Sequence, residues 1–132
     1  MKPLVMIIDD DLGIVEMLTH ALTNNGYDVL TASSGIIALN LLNHNISPDV
    51  IITDYQMPRL RGSELIERLS ARNHLKDIPA VMITGSELEN VSIPQTDNFK
   101  ALIPKPFKIN SLLETIDGIV KGKDFGSSVY TA

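Results

Sequence analysis

The amino-acid sequence predicts an α/β fold, a doubly wound parallel sheet of five strands with helices on both faces. Five short apolar runs, enriched in β-branched residues, alternate with stretches of helical spacing. The chain has 132 residues, of which 44% are hydrophobic, so it fits one domain with a substantial core. Length and alternation together predict a single domain built on one sheet.

The predicted strands are apolar runs bounded by turn residues. They are Leu4–Ile8, Tyr27–Thr31, Val50–Ile52, Ala80–Ile83 and Ala101–Ile103. The first, third and fourth runs are apolar throughout, as expected for strands that are buried on both faces. The second run alternates between polar and apolar residues, so we place this strand outside the first, at an edge of the sheet.

The stretches between the runs carry apolar residues along one face of a helix. The clearest sets are Ile14, Val15, Leu18, Ala21 and Leu22 in the first helix, and Leu112, Leu113, Ile116, Ile119 and Val120 in the last. Gly26 is placed to end the first helix. Ser111 and Glu114 predict a capping box at the start of the last helix, which should end near Lys121.

Pro94 falls where a helix between the fourth and fifth strands would run. Proline removes a backbone donor and clashes with the preceding helical turn, at a cost of about 3 kcal/mol in a helix interior. We therefore expect this helix to be short or frayed and to end before Ile93.

Composition and charge exclude several classes of protein. The chain has no cysteine, which excludes disulfides and thiolate chemistry. No apolar run approaches the roughly 20 residues of a membrane span, and no signal peptide is recognisable, so we expect a cytoplasmic protein without membrane contact. The net charge of −5 and the lack of a basic cluster disfavour direct nucleic-acid binding.

We assign residues 1–121 to the domain and residues 122–132 to a flexible tail or the stub of a linker. The final segment is rich in glycine and serine and follows the last stretch of helical periodicity.

Polar side chains follow four of the predicted strands at the point where each strand ends. They are Asp9, Asp10 and Asp11 after the first strand, Asp54 after the third, Thr84 after the fourth and Lys105 after the fifth. Because the carboxyl ends of parallel strands meet at one edge of a sheet, where ligands bind in such folds, we expect these side chains to lie close together.

Such a cluster of carboxylates needs a cation. Asp11 is explained as a helix cap, but carboxylates about 4 Å apart repel by several kcal/mol, and Lys105 supplies only one positive charge. A hard ion such as Mg²⁺ is the natural second cation. A carboxylate beside a divalent ion and an ammonium group can attack phosphorus to form an acyl phosphate, and Thr84 can donate a hydrogen bond to a phosphoryl oxygen.

These motifs, in this order and spacing, resemble a known family over residues 3 to about 121. The matching segments are Asp9-Asp10, Asp54-Tyr55-Gln56-Met57-Pro58 with Gly62, Ile83-Thr84-Gly85 and Lys105-Pro106-Phe107. The family is the receiver domain of bacterial two-component response regulators, in the CheY-like superfamily. The resemblance implies a flavodoxin-like fold with strand order 2-1-3-4-5.

The resemblance also implies a function and a role for each matching residue. Asp54 would accept phosphate from a histidine kinase or a histidine phosphotransfer protein, and Thr84 and Lys105 would contact the phosphoryl group. Mg²⁺ would be bound by Asp10, Asp54 and the backbone carbonyl of Gln56, with Asp9 acting mainly through water.

In such a module the only chemistry is its own phosphorylation and dephosphorylation, and the aspartyl phosphate alters binding to a downstream protein or effector domain. The chain would be a stand-alone receiver or a piece of a longer regulator or hybrid kinase. The resemblance further implies a cis peptide bond between Lys105 and Pro106.

Two positions depart from the family pattern. Receiver domains usually carry an aromatic residue three positions before the lysine, whose rotation is coupled to the threonine, but this chain has Leu102 there. Leu102 and Pro94 thus both depart from the family pattern on its usual route from the phosphoryl group to the surface around the fourth helix and fifth strand.

Two alternative functions remain open. The segment Ile7-Ile8-Asp9-Asp10-Asp11 also fits the Asp-x-Asp pattern of phosphatases of the haloacid dehalogenase type, although we find neither a cap domain nor a later acidic pair. The other alternative is a receiver-like binding module that never gains phosphate. Such a module is expected to have lost one or more of Asp10, Asp54, Thr84 and Lys105, and all four are present.

Overall fold

The computed structural model describes residues 2–85 and 87–122 and the backbone of residues 129–130. In chain order, the elements are β1 (Leu4–Ile8), α1 (Leu12–Thr23), β2 (Asp28–Ala32), α2 (Gly35–Leu42), β3 (Val50–Asp54), α3 (Gly62–Ser70), β4 (Ala80–Thr84), a 3₁₀ turn (Leu88–Asn90), β5 (Phe99–Pro104), α4 (Ile109–Val120) and β6 (Val129–Tyr130).

The strands form one parallel sheet in the order β2-β1-β3-β4-β5-β6. The predicted order 2-1-3-4-5 is confirmed, with β2 at the edge outside β1. The two-residue β6, which the sequence did not predict, pairs with Ala101 and Leu102 of β5. The predicted tail lies largely outside the described residues, at 123–128, 131 and 132, and the domain boundary at 121 stays a prediction.

Two apolar clusters, one on each face of the sheet, form the core. Alternation along β1 sends Met6 and Ile8 into one cluster and Val5 and Ile7 into the other. The first cluster is covered by α2 and α3, and the second by α1 and α4. The helices therefore flank both faces, as predicted for a doubly wound sheet, and leave the carboxyl ends of the strands free to form a site.

The helix ends agree with the sequence at α1 but not at α4. The side chain of Asp11 caps α1, and Gly26 follows that helix with a φ of +90°, a value that favours glycine. The predicted capping box at Ser111 and Glu114 is wrong, because α4 already begins at Ile109. Ile109 packs against the core, and this tertiary contact overrides the local capping signal.

The β4–β5 connection, which we define as residues 85 and 87–98, contains only the three-residue 3₁₀ turn among its described residues. The short helix expected from Pro94 is thereby confirmed, and it ends before Ile93. Val91 and Ile93 lie beyond the turn, half-buried against the first apolar cluster. No helix in the described part of the chain combines the length and apolarity needed to cross a membrane.

Candidate functional site

Three carboxylates meet at the carboxyl edge of the sheet and form what we call the acidic cluster: Asp9, Asp10 and Asp54. Asp9 directly follows β1 and Asp54 ends β3, the neighbouring strand. Each residue places one carboxylate oxygen within 4.8 Å of the others. Asp9 is 2% exposed and Asp54 8%, whereas Asp10 is exposed. The cluster therefore has two buried members and one that faces solvent.

The third aspartate of the Asp9-Asp10-Asp11 run has a different role. Asp11 Oδ1 accepts hydrogen bonds from the backbone amides of Gly13 and Ile14, at 2.9 and 3.3 Å. The Asp11 amide in turn donates to Asp9 Oδ1 at 2.9 Å. Asp11 thus begins helix α1 and orients Asp9, as expected of an N-cap residue.

The backbone that follows Asp54 is held on two sides. The amide of Tyr55 donates to the Ile83 carbonyl of β4 at 2.8 Å, and its carbonyl accepts from the Gly62 amide at 2.9 Å. A Cβ atom on Gly62 would lie 2.3 Å from the Asp54 carbonyl oxygen, a separation that real Cβ atoms do not tolerate. The glycine of the sequence motif is therefore required by the close approach of α3 to the Asp54 backbone.

Lys105 reaches the acidic cluster from β5. Its Nζ atom lies 3.7 Å from Asp54 Oδ1, with 29% of the side chain exposed. Its backbone amide donates to the carbonyl of Thr84 at 2.7 Å, so the ends of β4 and β5 are joined beside the cluster. The predicted cis bond between Lys105 and Pro106 is confirmed.

Thr84 lies at the end of β4, one residue beyond Ile83, which pairs with Asp54. The residue is buried, with 1% of its surface exposed. The four strand ends therefore converge as the sequence predicts. The specific roles of Thr84 and Lys105 on a phosphoryl group stay predictions.

Burial and mutual repulsion disfavour the ionised forms of Asp9 and Asp54. Burial, reinforced by the charge of Asp9, raises the pKa of Asp54 to about 6, although Lys105 opposes the shift. Burial also raises the pKa of Asp9, against the lowering effects of the Asp11 amide and Lys105. A cation added to this cluster would stabilise the charged form of both groups.

The donor set fits a hard divalent cation. Carboxylate oxygens are the ligands that Mg²⁺ prefers, and the ion usually keeps several waters alongside one or two carboxylates. The cluster offers one exposed and two buried carboxylates within 4.8 Å, with a charge deficit that one lysine does not remove. Gln56 lies in the loop after Asp54, and a role for its backbone carbonyl stays a prediction.

The sequence did not reveal a contact made by the residue next to Asp54. The ring of Tyr55 is buried, and its hydroxyl accepts a hydrogen bond of 3.1 Å from the backbone amide of Ser92, in the β4–β5 connection. The contact spans 37 positions and ends in a segment without regular structure, so no periodicity could indicate it.

The structure also shows the surroundings of the position that is usually aromatic in the family. Leu102, at the position that is usually aromatic, is fully buried opposite Met82 of β4. Phe99 is a buried core residue of the first apolar cluster.

Comparison with known proteins gives consistent results. A family model described as "Response regulator receiver domain" matches residues 5–117. The chain is 31% identical over 118 residues to the response regulator MprA of Mycobacterium sp. (strain KMS), a match that covers 89% of this chain but 50% of that protein. This chain therefore spans about half the length of the MprA relatives that it matches. Chemotaxis protein CheY1 of Helicobacter pylori is 31% identical over 123 residues, which cover 91% of this chain and 98% of that protein.

Solved structures agree with the sequence relatives. The chemotaxis response regulator CheY4 of Vibrio cholerae superposes with a TM-score of 0.76 at 27% identity, covering 90% of this chain and 99% of CheY4. The signal receiver domain of a histidine kinase from Syntrophus aciditrophicus gives a TM-score of 0.79 at 26% identity, covering 91% of each chain.

Proposed function

The chain belongs to the response regulator receiver domain family, and from that premise we propose that Asp54 accepts a phosphoryl group from the phosphohistidine of a histidine kinase or histidine phosphotransfer protein. The observation that carries the proposal is the acidic cluster with Lys105 Nζ 3.7 Å from Asp54 Oδ1. A carboxylate nucleophile flanked by acidic metal ligands and an ammonium group suits phosphoryl transfer.

The transfer is a substitution at phosphorus. A carboxylate oxygen of Asp54 forms the new O–P bond while the N–P bond of the donor phosphohistidine breaks, and the imidazole leaves with the electron pair of that bond. Lys105 offsets the negative charge on the phosphoryl oxygens, and the Thr84 hydroxyl donates a hydrogen bond to one of them. Asp54 acts in its ionised form, which predominates above its pKa of about 6.

We assign the metal site to Asp10, Asp54 and the backbone carbonyl of Gln56, with Asp9 acting mainly through water. When bound there, Mg²⁺ supplies positive charge against the phosphoryl oxygens. The protein contributes the fixed positions of the carboxylates. Asp9 is held by the Asp11 amide, and Asp54 by the backbone contacts that follow it.

In this function the domain is a signalling module rather than an enzyme that turns over external substrates. Its aspartyl phosphate would change the affinity for a downstream protein or effector domain, and hydrolysis would reset it. We expect it to act in the cytoplasm, without direct contact to nucleic acid or membrane.

Intact-mass spectrometry tests the proposal. The protein is incubated with acetyl phosphate and Mg²⁺, and a single phosphoryl adduct of about 80 Da is expected. The adduct should disappear in Asp54→Asn and after removal of Mg²⁺ with EDTA. Asp28→Asn, which changes an exposed carboxylate on the edge strand, is the matched control and should keep the adduct.

The alternatives predict different outcomes in the same experiment. Repeated turnover of assorted phosphate esters that depends on Asp9 would support a phosphohydrolase. The absence of an adduct with acetyl phosphate, phosphoramidate or a phosphorylated histidine donor would support a binding module that never gains phosphate. Either result would overturn the proposed function.

A further inference from the structure

Tyr55 links the candidate site to the β4–β5 connection. Its backbone directly follows Asp54 and is bonded to β4 through Ile83 and to α3 through Gly62. The residue is 4% exposed, and the hydroxyl at the far end of its ring accepts the hydrogen bond from the Ser92 amide. One rigid side chain therefore spans from the site to the β4–β5 connection.

The first part of the β4–β5 connection, residues 87–93, is weakly attached to the rest of the domain, whereas Pro94 and Asn98 after it are buried. Pro94 prevents a continuous helix, and the described residues form one 3₁₀ turn of three residues. Val91 and Ile93 pack against the first apolar cluster but are only half-buried. Segments with few buried contacts open at low free energy, so a single hydrogen bond from the core can shift their conformation.

Leu102 gives the phosphoryl group no polar route to the surface. Its aliphatic side chain is fully buried and offers neither a donor nor an acceptor. Tyr55, in contrast, combines a position beside Asp54 with a hydroxyl that contacts the connection.

We propose that Tyr55 is a positioning residue that couples the phosphoryl load on Asp54 to the β4–β5 connection. This proposal depends on the proposed function, because the signal is the phosphoryl group itself. That group adds three oxygens and nearly two negative charges between Thr84 and Lys105. The ends of β4 and β5 adjust to it, and the bond from the Tyr55 amide to Ile83 carries the adjustment into the ring.

The connection then has two states. In one, the Ser92 amide is bonded to the Tyr55 hydroxyl; in the other, the ring has moved, the amide is released and the exposed part of the connection is rearranged. Phosphorylation shifts the population between these states, and a partner protein that reads the exposed surface of the connection would respond to the shift.

Amide NMR of the full chain tests the coupling. Spectra of wild type and Tyr55→Phe are recorded with Mg²⁺, before and after addition of excess acetyl phosphate, while intact mass reports the adduct. Tyr55→Phe keeps the buried ring but lacks the hydroxyl. We expect an adduct of about 80 Da in both proteins. We also expect shift changes at the amides of residues 87–93 that are at least threefold smaller in Tyr55→Phe. Because each protein is compared with its own unloaded state, a static effect of the substitution cancels.

Tyr27→Phe is the matched control. Tyr27 is also buried, and its hydroxyl bonds to Asp117 on the other face of the sheet, so its loss should leave the response of the connection intact. An undiminished response in Tyr55→Phe would overturn the coupling, as would a phosphorylated wild type without shift changes at residues 87–93. Failure of wild type to gain the adduct would overturn the proposed function, and the coupling with it.

Discussion

The segment that follows β3 and the segment that follows β4 both start at the carboxyl edge of the sheet, but they are built differently. After β3, the backbone is hydrogen-bonded to β4 and to α3, and a nine-residue helix begins at Gly62. After β4, the described chain forms a three-residue 3₁₀ turn and an irregular stretch, without a regular helix.

In the proposed function, this difference would separate the segment that carries the chemistry from the segment that carries the signal. The proposed phosphoacceptor requires fixed geometry, and the segment after β3 would provide it through the hydrogen bonds of the Tyr55 amide and carbonyl. A response surface requires two accessible conformations, which a short turn with half-buried contacts permits. Tyr55 connects the two segments.

The largest effect on stability is expected in the segment after β3, which we call the rigid segment, because α3 leaves no space there for a larger residue at position 62. Gly62→Ala places a Cβ atom 2.3 Å from the Asp54 carbonyl oxygen, so it should lower the free energy of unfolding by at least about 3 kcal/mol and reduce phosphorylation. Gly85→Ala is the counterpart after β4. Its Cβ atom would meet Lys105 Cδ at 3.7 Å, an ordinary contact, and should lower the free energy by less than about 1 kcal/mol. Urea denaturation measures the free energy of unfolding of both variants. Equal effects would contradict the proposed difference between the two segments.

The buried charge of Asp54, next to the rigid segment, destabilises the folded protein to an extent that depends on pH. Asp54 has a pKa of about 6 in the folded protein and near 3.8 when unfolded, so the folded state binds the proton more tightly. Without Mg²⁺, the free energy of unfolding should therefore rise by about 1.4 kcal/mol as the pH falls from about 7.5 to about 5. The raised pKa of Asp9 acts in the same direction.

Asp54→Asn tests the origin of this pH dependence. The neutral amide removes the buried charge, so the variant should be more stable than wild type by about 2 kcal/mol near pH 7.5, with a shallower dependence on pH. Urea denaturation in EDTA at several pH values measures both quantities. A variant that is less stable than wild type at neutral pH would contradict the assigned electrostatic cost.

Mg²⁺ should reverse part of that cost. Binding to the folded state should raise the free energy of unfolding by about 1.4 kcal/mol when the ion is tenfold above its Kd. Asp10→Asn should weaken this stabilisation, because the exposed carboxylate is one of the proposed ligands. Asp28→Asn should leave it unchanged. Thermal denaturation over a Mg²⁺ titration distinguishes them, and equal stabilisation of both variants would exclude Asp10 as a ligand.

The smallest effect is expected in the β4–β5 connection. Pro94→Ala removes the helix-breaking residue from a segment that is not helical, but it also truncates a buried side chain, so the free energy of unfolding should fall by about 1 kcal/mol. Far-UV circular dichroism should show no added helix. A gain of a full helical turn would mean that Pro94 alone prevents a regular helix in the β4–β5 connection.

The sequence predicted the features that depend on local pattern and on the parallel sheet. Apolar runs, residue spacing and strand ends predicted the bounds of β1, the cap at Asp11 and the convergence of Asp9, Asp54 and Lys105. The features it missed depend on distant contacts. Ile109 extends α4 because it packs on the core.

The link from Tyr55 to Ser92 is of the same kind. It joins a strand end to an irregular segment, and only the folded chain brings the two residues together.

Chemical trapping of the phosphorylated residue tests the central claim most directly. The protein is loaded with acetyl phosphate and Mg²⁺, the acyl phosphate is reduced with borohydride, and peptide mass spectrometry locates the homoserine that forms from a phosphorylated aspartate. The account predicts homoserine at position 54 alone, dependent on Mg²⁺ and absent from Asp54→Asn. Homoserine at position 9 or 10, or none in a protein loaded under these conditions, would contradict it.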